Sequence, residues 1–253
     1  MASRYRNLRG FLQRSRNPES KDYIPTLLME ALYHLPTVSL DSLIGPRPAH
    51  LRSQPSIMED ICMPPYVEGM DHDDYGALLA IVHALQPAIV LELGTAYGNT
   101  VANICDTSPR TKVYTVNAPA EDQTGLSVTY ALTAEEIGRV YKSRGFADRV
   151  TQILANTLAL DLGQHFAGPV VDLAVIDACH DTDYVLNDFH KVRPFIRPGG
   201  LILLHDTHPS MQAHLLGSYR ACLSLRRQGY DVRHLAQTWW GVCRIAEVGV
   251  RNS

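Results

Sequence analysis

The sequence predicts a doubly wound α/β fold with a mostly parallel sheet and a C-terminal antiparallel hairpin. Three observations carry that expectation. From Ala88 onward, short apolar runs alternate with helix-compatible segments, and alternating βα units imply a parallel sheet with helices on both faces. The run Ile89-Val90-Leu91-Glu92-Leu93-Gly94-Thr95-Ala96-Tyr97-Gly98-Asn99-Thr100 reads as a buried strand, a tight turn and a helix start. At the end of the chain, 230–236 and 239–246 read as two strands joined by a short turn.

The elements follow in order. An Arg-rich, acid-poor start (Arg4, Arg6, Arg9, Arg14 and Arg16 before Glu19) has the composition of a transit peptide. A docked helix or subunit contact is the expected reading there. Residues 22–35 carry helical apolar spacing, whereas Pro46, Pro48, Pro55, Pro64 and Pro65 forbid long regular structure over 36–67. Residues 1–70 are thus expected to form a helical and loop extension, as a lid or a subunit contact, and 71–253 the main domain. Asp71-His72-Asp73-Asp74 resembles a metal cluster but reads better as the acidic start of a helix over 75–85, where carboxylates suit the helix dipole. Strands are expected at 88–93, 112–117, 149–155, 171–177 and 200–205, the last entered through Pro198-Gly199-Gly200. Helices are expected at 98–106, 134–144, 157–165, 182–195 and 209–228, with Thr133 and Glu136 forming a capping box before the second. With the hairpin this makes a seven-stranded sheet.

Composition narrows the partners. A net charge of −3 gives no global field that would draw the chain to nucleic acid or a membrane surface. No apolar run approaches the roughly 18 residues of a membrane span. The five cysteines are widely spaced and lack a C-x-x-C pair, as in a reduced, cytoplasmic protein. A small-molecule ligand and a homo-oligomer are expected; nucleic acid and membrane partners are not.

In open α/β sheets, ligands lie beyond the carboxyl ends of the strands. The first strand ends at Glu92, Gly94, Thr95 and Gly98, the second at Asn117 and the third at Asn156-Thr157. Glycines allow a ligand close to the backbone, and the N–H groups of the next helix add a polar cradle. The fourth strand delivers Asp177-Ala178-Cys179-His180-Asp181, and the fifth His205-Asp206-Thr207-His208. If these strands are neighbours, their tips lie about 5 Å apart and Asp177 faces Asp206 across one crevice. Two close carboxylates repel, and a divalent cation gives both a reason to ionise. His205 would add an imidazole to that set. Trp239-Trp240 reads as hairpin core.

The pattern E-x-G-x-x-x-G at Glu92, Gly94 and Gly98 resembles motif I of the class I S-adenosylmethionine-dependent methyltransferases. Residues 176–184 followed by 197–206 resemble the metal-dependent small-molecule O-methyltransferases, closest to the sugar and antibiotic type. That resemblance covers about 70–247 and implies a Rossmann-like domain. It places Glu92, Gly94, Thr95, Gly98, Asn117, Asn156 and Asp177 around S-adenosylmethionine. It makes Asp177, His205 and Asp206 the ligands of a divalent metal, with Mg²⁺ first and Mn²⁺ or Fe²⁺ as alternatives. His180 is then the general base for a small-molecule hydroxyl acceptor. Three positions depart from the family. His205 stands for a carboxylate, Asn117 for the acid that holds the ribose, and Asn156-Thr157 for an acid that reads adenine. A cephalosporin-hydroxylase-like oxygenase on the same fold, or a non-catalytic cofactor-binding subunit, remain alternatives.

Overall fold

A computed structural model describes residues 23–46, 57, 73–122, 132–208 and 216–246. The Arg-rich start, Asp71, His72 and the first part of the helix expected at 209–228 lie outside the described residues. In chain order the elements are α1 (Tyr23–Tyr33), β1 (Thr37–Val38), α2 (Leu40–Ile44), α3 (Asp74–Leu85), β2 (Ile89–Leu93), α4 (Asn99–Thr107), β3 (Lys112–Asn117), α5 (Arg139–Ser143), β4 (Val150–Leu154), β5 (Val171–Ile176), α6 (Thr182–Val192), β6 (Ile196–Leu204), α7 (Leu216–Arg227), β7 (Val232–Leu235) and β8 (Gly241–Arg244).

Side chains along a strand point alternately to its two faces, and here both faces are buried. Val90, Leu173, Val175, Leu201 and Leu203 pack on one side with Leu78 and Ile81 of α3 and Val101 and Ile104 of α4. Leu91, Leu93, Ala174, Ile176, Ile202 and Leu204 pack on the other with Val185 and Phe189 of α6 and Tyr219 and Leu223 of α7. The strand order is β1-β7-β8-β6-β5-β2-β3-β4. Only β8 runs against its neighbours, β6 and β7. The chain leaves β2 outward through β3 and β4, then returns to place β5 on the other side of β2. That reversal opens a crevice at the tips of β2 and β5. Among the described residues, no helix is long and apolar enough to cross a membrane. Cys105, Cys179, Cys222 and Cys243 are buried.

The doubly wound architecture and the hairpin match the sequence reading, with four differences. An eighth strand, β1, adds two residues beside β7 from a stretch read as loop. Pro198 and Gly199 lie inside β6 rather than before it, at a register shift against Val171 and Leu173, where Gly199 has φ +81°. The helix expected at 134–144 begins only at Arg139. Thr133 and Glu136 do form their local bonds, but Gly138 sits at φ +70°, and the N–H groups of Gly138 and Val140 bond to Ala96 and Tyr97 instead of within a helix. The helix expected at 157–165 is replaced by turns and a 3₁₀ turn at Leu162–Gln164. Lys191 of α6 donates to the carbonyls of Thr157, Leu158 and Leu160 at 2.6–2.9 Å, taking acceptors that a helix would have used.

The same clamp contains Asp188, which has no exposed surface. Burial pushes its carboxyl up to about 6, against hydrogen bonds from Thr157 and Asn187 and the charge of Lys191. Between its ordinary value of 3.8 and about 6 the folded carboxyl keeps a proton that the unfolded chain has lost. Stability from this group should therefore fall as pH rises through that window, by about 3 kcal/mol, and level off above it. Asp188→Asn should remove that part of the fall in urea-unfolding stability between pH 4 and 6 and leave a shallower slope. A second fall from buried Glu92, raised to about 8 chiefly by burial, should survive the substitution. Unchanged pH dependence in the variant would refute the assignment.

Candidate functional site

The turn after β2 is built by positive backbone angles: Gly94 at φ +108°, Ala96 at +46° and Gly98 at +86°. The N–H groups of Gly94 and Thr95 both donate to the Val116 carbonyl, at 2.8 and 3.1 Å. Gly98 is the N-cap of α4. A Cβ on Gly94 would collide with the Asp177 carbonyl, and one on Gly98 would meet Tyr141 and the backbone of Gly138. The turn is braced by bonds from Gly138 N–H to Ala96 and Val140 N–H to Tyr97, both 2.9 Å. The Arg139 guanidinium lies 4.5 Å over the Tyr97 ring, a cation–π contact.

Glu92 is almost wholly buried at the strand tip. A directed hydrogen-bond chain ends on it. The Tyr141 hydroxyl donates to Gln152 Oε1 at 3.1 Å, and Gln152 Nε2 donates to Thr95 Oγ1 at 2.9 Å. The Thr95 and Thr115 hydroxyls meet at 2.7 Å, and Thr115 donates to Glu92 Oε2. Because Thr115 has one proton and gives it to Glu92, Thr95 must donate to Thr115. The chain holds Glu92 as an acceptor, and Thr100 adds a bond of the same sense. Thr95 is 2% exposed, so its side chain serves this chain while its backbone serves the turn.

The two asparagines are engaged locally. Asn117 Oδ1 accepts from Ala96 N–H at 3.1 Å and its Nδ2 donates to Ala118 O at 2.8 Å. Asn117 therefore ties the tip of β3 to the glycine turn. Asn156 Oδ1 accepts from Leu158 N–H at 3.0 Å, an Asx turn.

Beside the turn stands an acid and imidazole corner. Asp177 follows β5, its N–H bonded to Leu93 O at 2.8 Å, and His205 follows β6, its N–H bonded to Ile176 O at 3.0 Å. His180 Nδ1 lies 3.1 Å from Asp206 Oδ2. His205 Nδ1 lies 3.2 Å from Asp177 Oδ1 and 3.3 Å from Asp206 Oδ1. Asp206 has φ +56°, a left-handed backbone that aspartate tolerates better than most residues. There it reaches both imidazoles at once. Burial raises the Asp206 carboxyl, opposed by His205 and His180. Burial alone would lower His205, but Asp177 and Asp206 outweigh it and raise the imidazole well above its ordinary value. Asp177, His180 and Asp206 each present a ligand atom within 4.8 Å of the others. The backbone of α7 abuts this corner: a Cβ on Gly217 would collide with the His180 carbonyl, and Thr182 Oγ1 donates to Gly217 O at 3.2 Å.

Two residues at this corner, Asp74 and Tyr75, were read from the sequence only as the acidic start of a helix. Asp73 caps α3, accepting from Gly76 N–H, as an acidic helix start should. Asp74 does something else: its Oδ2 lies 3.1 Å from His205 Nε2 and its Oδ1 accepts from Trp239 N–H at 2.8 Å. Tyr75 bonds to Thr100 within the field of Asp177 and His205, and burial pushes its phenol up to about 12. Only the D-D-Y sequence itself marked them. Trp239 and Trp240 are 3% and 4% exposed, in the core as expected.

Residues 91–207 match a family model described as a methyltransferase domain. Over those residues the chain is similar to that family, and its fold is the doubly wound, Rossmann-like sheet described above. A Staphylococcus aureus protein described provisionally as a caffeoyl-CoA O-methyltransferase superposes with a TM-score of 0.51 at 15% identity, over 68% of this chain and 82% of that one. A Corynebacterium glutamicum protein gives a TM-score of 0.51 at 14% identity, over 72% and 84%. The O-methyltransferase TomG of Streptomyces achromogenes, solved in complex with S-adenosylmethionine, gives 0.48 at 17% identity, over 67% and 78%. For the first two, at these identities, the likeness is one of fold.

Proposed function

We propose that this protein transfers the methyl group of S-adenosylmethionine to a hydroxyl of a small molecule, assisted by a divalent cation. One observation carries the reading: the glycine turn after β2 is pressed against the Asp177 backbone, so that a cofactor cradle and an acid and imidazole corner share one crevice. The sulfonium is already electrophilic, so the protein must align the acceptor oxygen and relieve it of its proton. His180 is the base. With Nδ1–H donated to Asp206 Oδ2, its Nε2 is the nitrogen that accepts the proton. Glu92, fixed by the Thr115 chain and raised to about 8 by burial, lies where a cationic cofactor would favour its ionised form.

Asp177, His205 and Asp206 fit a cation. Their oxygens lie 3.2 and 3.3 Å from His205 Nδ1, near the edge of roughly 3 Å expected for adjacent ligands at bonds of about 2.1 Å. A bound divalent ion lowers the hydroxyl's pKa and fixes its oxygen. A second reading rests on His180 offering a ring nitrogen within the same 4.8 Å group as Asp177 and Asp206, as in a mixed histidine and carboxylate iron site for oxygen chemistry.

Methyl transfer from labelled S-adenosylmethionine to a panel of phenol and sugar acceptors, with and without chelator, is the test. Chelator-sensitive labelling that is lost in Asp177→Ala supports the proposal. Labelling indifferent to chelator removes the cation from it. Tight cofactor binding without transfer would point to the non-catalytic subunit, and iron-dependent acceptor oxidation to the second reading.

A further inference from the structure

We infer that Asp74 is a positioning residue that makes His205 a nitrogen ligand, so that the cation site prefers a transition-metal ion of the Mn²⁺, Co²⁺ or Zn²⁺ class over Mg²⁺. The inference rests on the cation part of the proposed function and goes further, to the kind of ion and to a residue outside the strand tips. An imidazole can bind a metal through one nitrogen only when the other is held as a donor. Asp74 Oδ2 stands 3.1 Å from His205 Nε2 and is placed to accept its proton. Nδ1 faces Asp177 Oδ1 and Asp206 Oδ1 at 3.2 and 3.3 Å, and the proton it shares with them is the one a cation would displace while Asp74 keeps the proton on Nε2.

Asp74 is itself held from three directions. It starts α3, its other carboxylate oxygen accepts from Trp239 N–H at 2.8 Å, and its carbonyl accepts from Trp240 Nε1 at 3.0 Å. The Trp240 ring lies 4.3 Å from the His205 ring, fixing its plane. This is the carboxylate–histidine–metal arrangement in which the outer carboxylate sets tautomer and orientation. Mg²⁺ favours oxygen ligands and its own waters, whereas imidazole suits the later transition ions.

The substitution that isolates the idea is Asp74→Asn. It keeps the shape and an acceptor for Trp239 N–H, but turns an amide N–H toward His205 Nε2. The imidazole proton then moves to Nδ1 and blocks the ligand position. The cap of α3 is untouched, because Asp73 supplies it. Apoprotein should be titrated calorimetrically with Mn²⁺, Zn²⁺ and Mg²⁺, and with Co²⁺ while following its visible absorption. We expect wild type to bind Mn²⁺, Co²⁺ and Zn²⁺ at least 10-fold more tightly than Mg²⁺. Asp74→Asn should lose about 10- to 100-fold for the transition ions, with an altered Co²⁺ spectrum and an unchanged melting temperature. His205→Asp should bring Mg²⁺ affinity up toward that for Mn²⁺. Equal Mg²⁺ and Mn²⁺ affinity in wild type, or unchanged affinities in Asp74→Asn, would overturn the inference and leave a cation-assisted reaction standing. No binding of any ion by wild type would overturn both.

Discussion

His180→Ala is expected to cut turnover by roughly 10²–10⁴-fold, the usual span for losing general acid–base help. The effect should fall on the chemical step. His180 pairs with Asp206, whereas the hydrogen bonds that build the glycine turn run to Val116, Gly138 and Val140, so cofactor affinity should stay near wild type. The pH–rate profile should lose its acidic limb, because the group that must be deprotonated is gone. A phenol acceptor, already acidic, should suffer less than a sugar hydroxyl. Single-turnover methyl transfer beside cofactor calorimetry separates these quantities. Near-normal turnover with the acidic limb intact would remove His180 as the base. Normal turnover at saturating metal with weakened metal binding would make it a ligand, and would favour the histidine and carboxylate iron site.

How far this site could be read from the sequence depended on whether each residue's role is local. Strand tips were legible because a buried parallel strand is a continuous apolar run, and the residue that ends it faces the crevice whatever the rest does. Glu92, Asp177, His205 and Asp206 were found that way. Asp74 was not, because an acid at a helix start already has a sufficient local explanation in the dipole. Its contacts with His205 and Trp239 span 131 and 165 positions. The helices expected at 134–144 and 157–165 failed for a related reason. Their local periodicity was sound, but tertiary partners took their backbone groups: Ala96 and Tyr97 in the first case, Lys191 in the second. Asn117 shows the same shift. The family resemblance placed it beside the ribose, and the fold adds a bond the sequence did not show: its oxygen accepts from Ala96 N–H and braces the turn. Residues 1–70 offered no pattern that distinguishes a lid from a subunit contact.

Gly94→Ala is expected to be among the most damaging single-methyl changes at the described glycines, and the reason differs from the one the motif suggests. Read as sequence, Gly94 makes room for a ligand. In the fold that room is taken: a Cβ would strike the Asp177 carbonyl, at a backbone angle of φ +108° that alanine resists. The strain is about 1–3 kcal/mol, and the collision must also be relieved by moving Asp177 away from β2. Asp177 carries one side of the acid and imidazole corner, so the two halves of the site lose register together. A misplacement near 1 Å costs on the order of 10²-fold in turnover. The variant should therefore melt earlier, bind S-adenosylmethionine weakly and lose activity beyond what its binding explains. Ala96→Gly is the matching control. Ala96 holds φ +46° in the same turn, where a left-handed alanine costs roughly 1–2 kcal/mol, and glycine gives back about 0.5–1 kcal/mol of that in chain entropy. That substitution should raise stability by up to about 1 kcal/mol and spare activity. If Gly94→Ala instead binds cofactor and turns over normally, Asp177 is not held in register through this contact, and the coupling of cradle to corner through the β2–β5 pair fails with it.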